Sequence, residues 1–140
     1  MGLKNFIVLT LSVSLIIGGT LTGGCLRDET ATIEDITPQE AFVLIQNNQN
    51  NPDFVIIDVR TREEFSGGHI ENATNIDFYS ETFRVMLNNL DKNKTYLIYC
   101  RSGSRSGKAL NIMAELKFKK VYNVSGGIIA WNAKGLPIVR

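Results

Sequence analysis

One histidine and two cysteines are too few for a structural zinc site or for a disulfide scaffold of the small secreted kind. Prolines number three and no tract is compositionally biased, which excludes collagen-like and low-complexity chains. Charge of one sign is also lacking. The formal net value is +1, so nothing calls for a nucleic acid or another polyanion as partner. What is present is 44% hydrophobic and 21% charged residues in a chain of 140, the profile of one globular domain with a short extension.

That extension is N-terminal. No charged residue lies between Asn5 and Gly24, and the most apolar part, Phe6 to Ile17, is only 12 residues long. A membrane span needs about 20 predominantly apolar residues, whereas a signal-peptide core is this short. Small residues follow, Gly18-Gly19-Thr20-Leu21-Thr22-Gly23-Gly24, and then Cys25. The segment resembles the lipobox of lipoproteins, in which cleavage before the cysteine is followed by attachment of diacylglycerol to its sulfur. It departs from that pattern in having Leu21 one position early, with Thr22 in its place. An uncleaved N-terminal anchor is the alternative, because Asn5 to Gly24 is just long enough to cross. Residues 1–24 are therefore expected to be a signal peptide or an anchor, and 25–31 a linker carrying a lipidated Cys25. Lys4 ahead of the apolar core keeps the N-terminus inside. It sets the domain on the outer side of the cytoplasmic membrane, in the cell envelope.

Charge is uneven along the remainder. Residues 28–81 hold 12 acidic and two basic residues, and residues 84–140 hold 11 basic and two acidic ones. Two domains of under 60 residues each would be marginal, so one domain with intermixed halves is expected over 32–140.

Strands and helices alternate along it. Thr32–Ile36 reads as a short strand, and Thr37-Pro38-Gln39-Glu40 as a capping box opening a helix to about Gln46. The unbroken apolar run Phe54–Val59 predicts a strand buried on both faces. Thr61–Glu64 is a second capping box, ended by Gly67-Gly68. A strand near Ala73–Ile76, a helix from about Ser80 to Leu90 and a buried strand Thr95–Tyr99 follow. Next come a helix Ser106–Lys117, a strand Val121–Val124, a Ser125-Gly126-Gly127 turn and a short helix Ile128–Ala133. Such alternation predicts an α/β domain with a mostly parallel sheet covered on both faces.

The strand Thr95–Tyr99 runs directly into Cys100-Arg101-Ser102-Gly103-Ser104-Arg105-Ser106 and then a helix. Open α/β sheets carry their reactive crevice at the carboxyl ends of strands, which is where Cys100 falls. Loop N–H groups and a helix N-terminus can converge there on an anion and favour thiolate over thiol. Arg101 and Arg105 add positive charge, with Lys108 one turn into the helix, while Ser102, Gly103 and Ser104 leave the backbone accessible. The end of a buried strand followed by two arginines is a poor site for an inert core thiol.

A second constellation is Asp58-Val59-Arg60 with Glu63, Phe65, Gly68, His69 and Ile70. Asp58 also ends a buried strand. An unpaired carboxylate there would raise a neighbouring thiol's pKa, so Asp58 is expected to pair with an arginine or with loop N–H groups. Arg60 is expected to find Glu63 or Glu64. His69 reads as a structural histidine rather than a general base, and Trp131 as core packing or a lid on the sheet.

Residues 54–76, 95–106 and 121–137 together resemble a single-domain rhodanese. The order Asp-x-Arg, Gly-His-Ile, cysteine loop, Gly-Gly, Trp and Gly-x-Pro carries the likeness, over about residues 32–139. A departure is Ile70-Glu71-Asn72-Ala73, where many members have Pro and Gly after the Ile. The resemblance implies a rhodanese-like three-layer α/β domain with a mostly parallel five-stranded sheet. It also implies that Cys100 carries sulfur as a persulfide between a small sulfur-containing anion, such as thiosulfate, and cyanide or a thiol acceptor. On that reading Arg101, Ser102, Gly103, Ser104 and Arg105 bind the donor, Asp58 and Arg60 support the site, and no metal or organic cofactor is implied.

Two other readings remain. Dual-specificity phosphatases of this fold need Cys-x5-Arg, whereas here Arg105 follows four intervening residues and Ser106 stands where the phosphatase arginine would. A catalytically silent rhodanese-like module that binds a partner is the third, and the retained Cys100 with its basic loop speaks against it.

Overall fold

The computed structural model describes residues 30–140. The segment 1–29, with the expected signal peptide, most of the linker and Cys25, lies outside the described residues. Among those described, no helix is long and apolar enough to cross a membrane.

Among the described residues, five strands and five helices alternate: β1 (Thr32–Ile36), α1 (Pro38–Asn47), β2 (Phe54–Asp58), α2 (Arg62–Ser66), β3 (Thr74–Asn75), α3 (Phe83–Asn88), β4 (Thr95–Tyr99), α4 (Ser104–Glu115), β5 (Lys120–Val124) and α5 (Gly127–Ala133). The strands form a single sheet in the order β1-β5-β4-β2-β3, and every pairing is parallel. The expected α/β architecture is the observed one. Element ends move by a few residues, most where cap chemistry is weak. The helix read over Ser80–Leu90 forms only at Phe83–Asn88, and its N-cap Thr82 makes no side-chain capping bond. The helix read from Ser106 begins at Ser104, behind Gly103 in the left-handed region (φ 96°).

Both capping boxes form. Thr37 Oγ1 accepts from Glu40 N–H while Thr37 N–H donates to the Glu40 carboxylate, and Thr61 and Glu64 do the same at the start of α2. Each box satisfies backbone donors that the first helical turn cannot reach, worth about 1 kcal/mol per helix.

Alternation along the strands sorts the core into two. Val55, Ile57, Tyr96, Ile98, Cys100 and Val121 face α3 and α4, with Leu87, Ala109 and Met113 above them. Ile56, Leu97, Tyr99 and Val124 face α1 and α5, and Ala41, Ile128 and Trp131 cover them. Trp131 is core packing: it is buried, meets Phe42 edge-to-face and donates its Nε1–H to Pro137 O. Both faces of β2 and β4 are thus covered, which is why those segments lack polar alternation. The acidic and basic halves intermix, with α2 bridged to α4 by Glu64–Arg105, while Arg84–Glu115 ties α3 to α4 within the basic half.

Candidate active site

β4 ends at Tyr99 and α4 begins at Ser104, so the chain turns through a loop of four residues, Cys100 to Gly103. Cys100 sits at its base, 1% exposed, with its side chain on the α3/α4 side of the sheet. Gly103 N–H points at its Sγ (3.1 Å), and the Ser106 hydroxyl donates to the same atom (3.3 Å). Burial alone would push the thiol up. Hydrogen bonds from the Ser106 hydroxyl and from the N–H groups of Ser106, Gly103 and Ser102 outweigh it, and the thiol is held below its ordinary pKa. The first turn of α4 adds its partial positive charge at the same place.

The loop is fastened from behind. Ile128 N–H donates to Cys100 O (2.9 Å) and Ile129 N–H to Arg101 O (3.1 Å), so the first N–H groups of α5 close on the carbonyls of the loop. That approach requires glycine at 127. Its φ is +59°, and a Cβ there would lie 2.5 Å from Cys100 O and 2.6 Å from Arg101 C. Gly126 (φ +74°) is tied in the same way, since a Cβ on it would come 2.6 Å from Ala130 Cβ.

Arg101, Ser102 and Ser104 are exposed on the outer side of the loop, and Gly103 is its left-handed corner. Arg105, expected to bind the donor, forms a two-point pair with Glu64, Nη1 to Oε2 at 2.7 Å and Nη2 to Oε1 at 2.8 Å. It also lies over the Tyr79 ring, 5.5 Å from the centroid. The Arg105 guanidinium holds the Glu64 carboxyl down at about 2, against burial that pulls the other way.

The expected pairing of Arg60 with Glu63 or Glu64 does not form. Arg60 pairs with Asp58, Nη2 to Oδ2 at 2.7 Å and Nε to Oδ1 at 3.0 Å, and its Nη2 also donates to Gly68 O (2.7 Å). The short Asp-x-Arg spacing lets the strand-end carboxylate curl onto the guanidinium, aided by Arg60 N–H donating to Asp58 Oδ1 (2.9 Å). Asp58 is fully buried and in register with Tyr99. Strand alternation therefore sets it on the face opposite Cys100, where it bears on Tyr99 rather than on the thiol. Burial, with the Asp58 carboxylate nearby, pushes Tyr99 far above its usual pKa, and its hydroxyl oxygen accepts from Ile70 N–H (3.0 Å). Asp58 and Arg60 thus brace the ends of β2 and β4 from below the loop.

His69 stacks on Phe65 (3.8 Å between centroids), and its Nδ1 lies 3.0 Å from Phe65 O. Its backbone pairs with Val139, tying the C-terminal segment to the 67–69 turn. It is structural here, as expected. A cavity of 540 Å³ on the α1/α5 face, lined by Phe42, Phe54, Ile70, Trp131 and amides such as Asn51, includes neither Cys100 nor any residue of its loop. Cavity size therefore does not mark the cysteine loop in this molecule.

Sequence reasoning passed over Tyr79, gave Glu64 to Arg60 rather than to Arg105, and noted Ser106 only as a departure from the phosphatase loop, not as a donor to the thiol.

Comparison with known proteins bears on the family and the fold. The model of the Rhodanese-like domain matches residues 30–134. A sulfurtransferase of Allochromatium vinosum is 35% identical over 96 residues, covering 69% of this chain and 88% of that protein. A tRNA uridine(34) hydroxylase of Photorhabdus laumondii is 39% identical over 99 residues, but the chain spans only 28% of it. Among solved structures, a rhodanese-related protein from Thermoplasma volcanium superposes with a TM-score of 0.63 at 27% identity, covering 76% of this chain and 97% of that one. The sheet order and the strand-end cysteine loop are those of a rhodanese-like α/β domain. The chain belongs to the rhodanese-like domain family.

Proposed function

We propose that the protein is a thiosulfate sulfurtransferase-type enzyme that moves a sulfane sulfur through a persulfide on Cys100. The observation that carries this reading is the convergence of Gly103 N–H and Ser106 O–H on a buried Sγ held below its ordinary pKa. A thiolate so held attacks the outer sulfur of a donor such as thiosulfate. The S–S bond of the donor breaks and its electron pair leaves with sulfite. The extra sulfur, now an anion on Cys100, lies in reach of the same loop donors. Cyanide or a thiolate acceptor then attacks that sulfur and leaves as thiocyanate or a persulfide, returning Cys100 as thiolate. Arg101, exposed at the loop edge, attracts the anionic donor.

The phosphatase alternative is disfavoured by Ser106, whose short side chain is turned inward onto the thiol where a phosphatase needs an arginine. The protein works at a membrane surface on this reading, tethered by a lipid on Cys25 or by an uncleaved anchor, on the outer side of the cytoplasmic membrane. The support is the 12-residue apolar core followed by small residues and a cysteine.

Intact mass of the purified protein before and after thiosulfate tests the chemistry, with Cys100→Ser alongside. A gain of one sulfur atom, reversed by cyanide and absent from the variant, is expected. No adduct from thiosulfate or another sulfane donor, with the thiol shown free, overturns the assignment and leaves partner binding as the reading to pursue.

A further inference from the structure

Of the two arginines in the Cys100 loop segment, only one is available to a ligand. Arg105 is only 15% exposed at its side chain and is charge-compensated by a two-point pair to Glu64, with the Tyr79 ring on its flank. Arg101 is exposed and makes no ion pair among the described residues. Glu64 reaches this position because α2 presents it as the third residue of a capping box, in which Oε2 also accepts from Thr61 N–H (3.1 Å). The carboxylate is fixed at both ends and cannot swing away.

We infer that Glu64 is a specificity-determining residue of this site. By neutralising Arg105 beside the cysteine loop, it sets the charge of donor that Cys100 accepts and favours a singly charged sulfane sulfur over a doubly charged one. A dianion such as thiosulfate meets one uncompensated guanidinium, Arg101, and the Glu64 carboxylate paired to the other. A monoanion loses less from that arrangement, because its interaction with each charge is half as large. The donor part of this inference rests on the sulfurtransferase reading, whereas the electrostatic part does not.

Two donors separate charge from shape. Thiosulfate and methanethiosulfonate differ by one oxyanion replaced with a methyl group. Each delivers its outer sulfur to a Cys100 thiolate, with the electron pair leaving on sulfite or on methanesulfinate. Glu64→Gln keeps a residue competent for the capping box and removes the charge. The variant is expected to lower KM for thiosulfate roughly three- to tenfold at low ionic strength, with a steeper salt dependence, and to change methanethiosulfonate less. Adding Arg105→Gln to Glu64→Gln should cancel that gain.

A second readout needs no sulfur transfer. Alkylation of Cys100 by iodoacetate and by iodoacetamide forms the same S–C bond with loss of iodide, and both reagents require the thiolate. Their rate ratio therefore reports local charge independently of the thiol's pKa. Glu64→Gln should raise the iodoacetate-to-iodoacetamide ratio about threefold or more at low salt, and the double variant should restore it. An unchanged ratio in Glu64→Gln, with the variant shown to be folded at the assay temperature, overturns the role of Glu64 whether or not the protein proves to be a sulfurtransferase. A raised ratio with no persulfide from either donor overturns the sulfurtransferase reading and the donor preference, and leaves the charge masking in place.

Discussion

Ser106 Oγ lies 3.3 Å from Cys100 Sγ, six residues along the chain and on the first turn of α4. The hydroxyl also approaches Gly103 O at 3.4 Å, so its rotation decides whether the sulfur or the loop carbonyl receives the proton. Against a thiolate the sulfur wins, because a hydrogen bond to a charged acceptor is roughly twice as strong as one to a neutral acceptor.

Ser106→Ala is therefore expected to raise the Cys100 pKa toward the ordinary thiol range. The sign follows from the charge state: the bond stabilises the thiolate, so removing it favours the thiol. Below the thiol midpoint, alkylation and persulfide formation should fall about tenfold, corresponding to loss of ~1.5 kcal/mol of charged hydrogen bond. Well above the midpoint the two proteins should converge. A pH profile of iodoacetamide reactivity, run on both, checks the shift.

The Asp58–Arg60 pair makes a different prediction, on stability. Both side chains are buried, and Arg60 further bridges to Gly68 O. Arg60→Met leaves the Asp58 carboxylate uncompensated in the interior, and breaking a buried pair in this way costs about 3–5 kcal/mol. Urea denaturation should show that loss. Replacing both partners by apolar residues should cost less than the single change, although Gly68 O and Arg60 N–H would still need partners.

The architecture and the cysteine loop were legible in the sequence because their signals are local. An unbroken apolar run marks a strand covered on both faces, and Thr-x-x-Glu twice marks a helix start within a residue. A cysteine directly after such a run is placed at a strand end by counting alone. The partners of Arg60 and Arg105 were not legible. Arg105 and Glu64 are 41 residues apart, and their meeting depends on how α2 packs beside α4. Asp58 was expected at the rim near the thiol. One residue of strand register decides the face, and Asp58 shares its face with Tyr99 while Cys100 points the other way. The need for glycine at 127 was equally hidden, since a Gly-Gly pair reads as a turn until the carbonyl it must clear is located.

Acid stability should report the Glu64–Arg105 pair. The Glu64 carboxyl is lowered from 4.5 to about 2 in the folded protein, chiefly by the Arg105 guanidinium. A depressed carboxylate stabilises the fold above its unfolded pKa, and that contribution is lost as pH falls through the folded value. The loss attributable to this pair therefore spans about pH 4.5 down to about 2. Comparing wild type with Glu64→Gln isolates it from the other carboxylates: the variant should melt lower at pH 6, and the difference should shrink as the pH approaches 2. A constant difference across that range would show that the variant's loss does not come from the Glu64 charge.

The tightest steric requirement in the site is at Gly127. A methyl group there meets two carbonyls and the Arg101 carbonyl carbon at 2.5–2.6 Å, and its backbone lies at φ +59°. Neither the helix nor the loop can yield alone, because Ile128 and Ile129 N–H groups bind those same carbonyls. Gly127→Ala should therefore shift the Cys100–Arg101 peptide outward and pull Gly103 N–H off the sulfur, as well as adding about 1–3 kcal/mol of backbone strain. Persulfide formation should drop by two orders of magnitude or more, roughly the penalty for misplacing a reacting group by an ångström. Gly107→Ala is the matched control. It lies on α4 with nothing within 4 Å of an added Cβ, so the same substitution there should leave the loop intact and stabilise the helix by about 0.5–1 kcal/mol. If the two alanine variants lose persulfide formation equally, the clamp from α5 is not what shapes the cradle. If only Gly127→Ala fails, the Gly-Gly turn is as much a part of the sulfur site as the cysteine loop it holds.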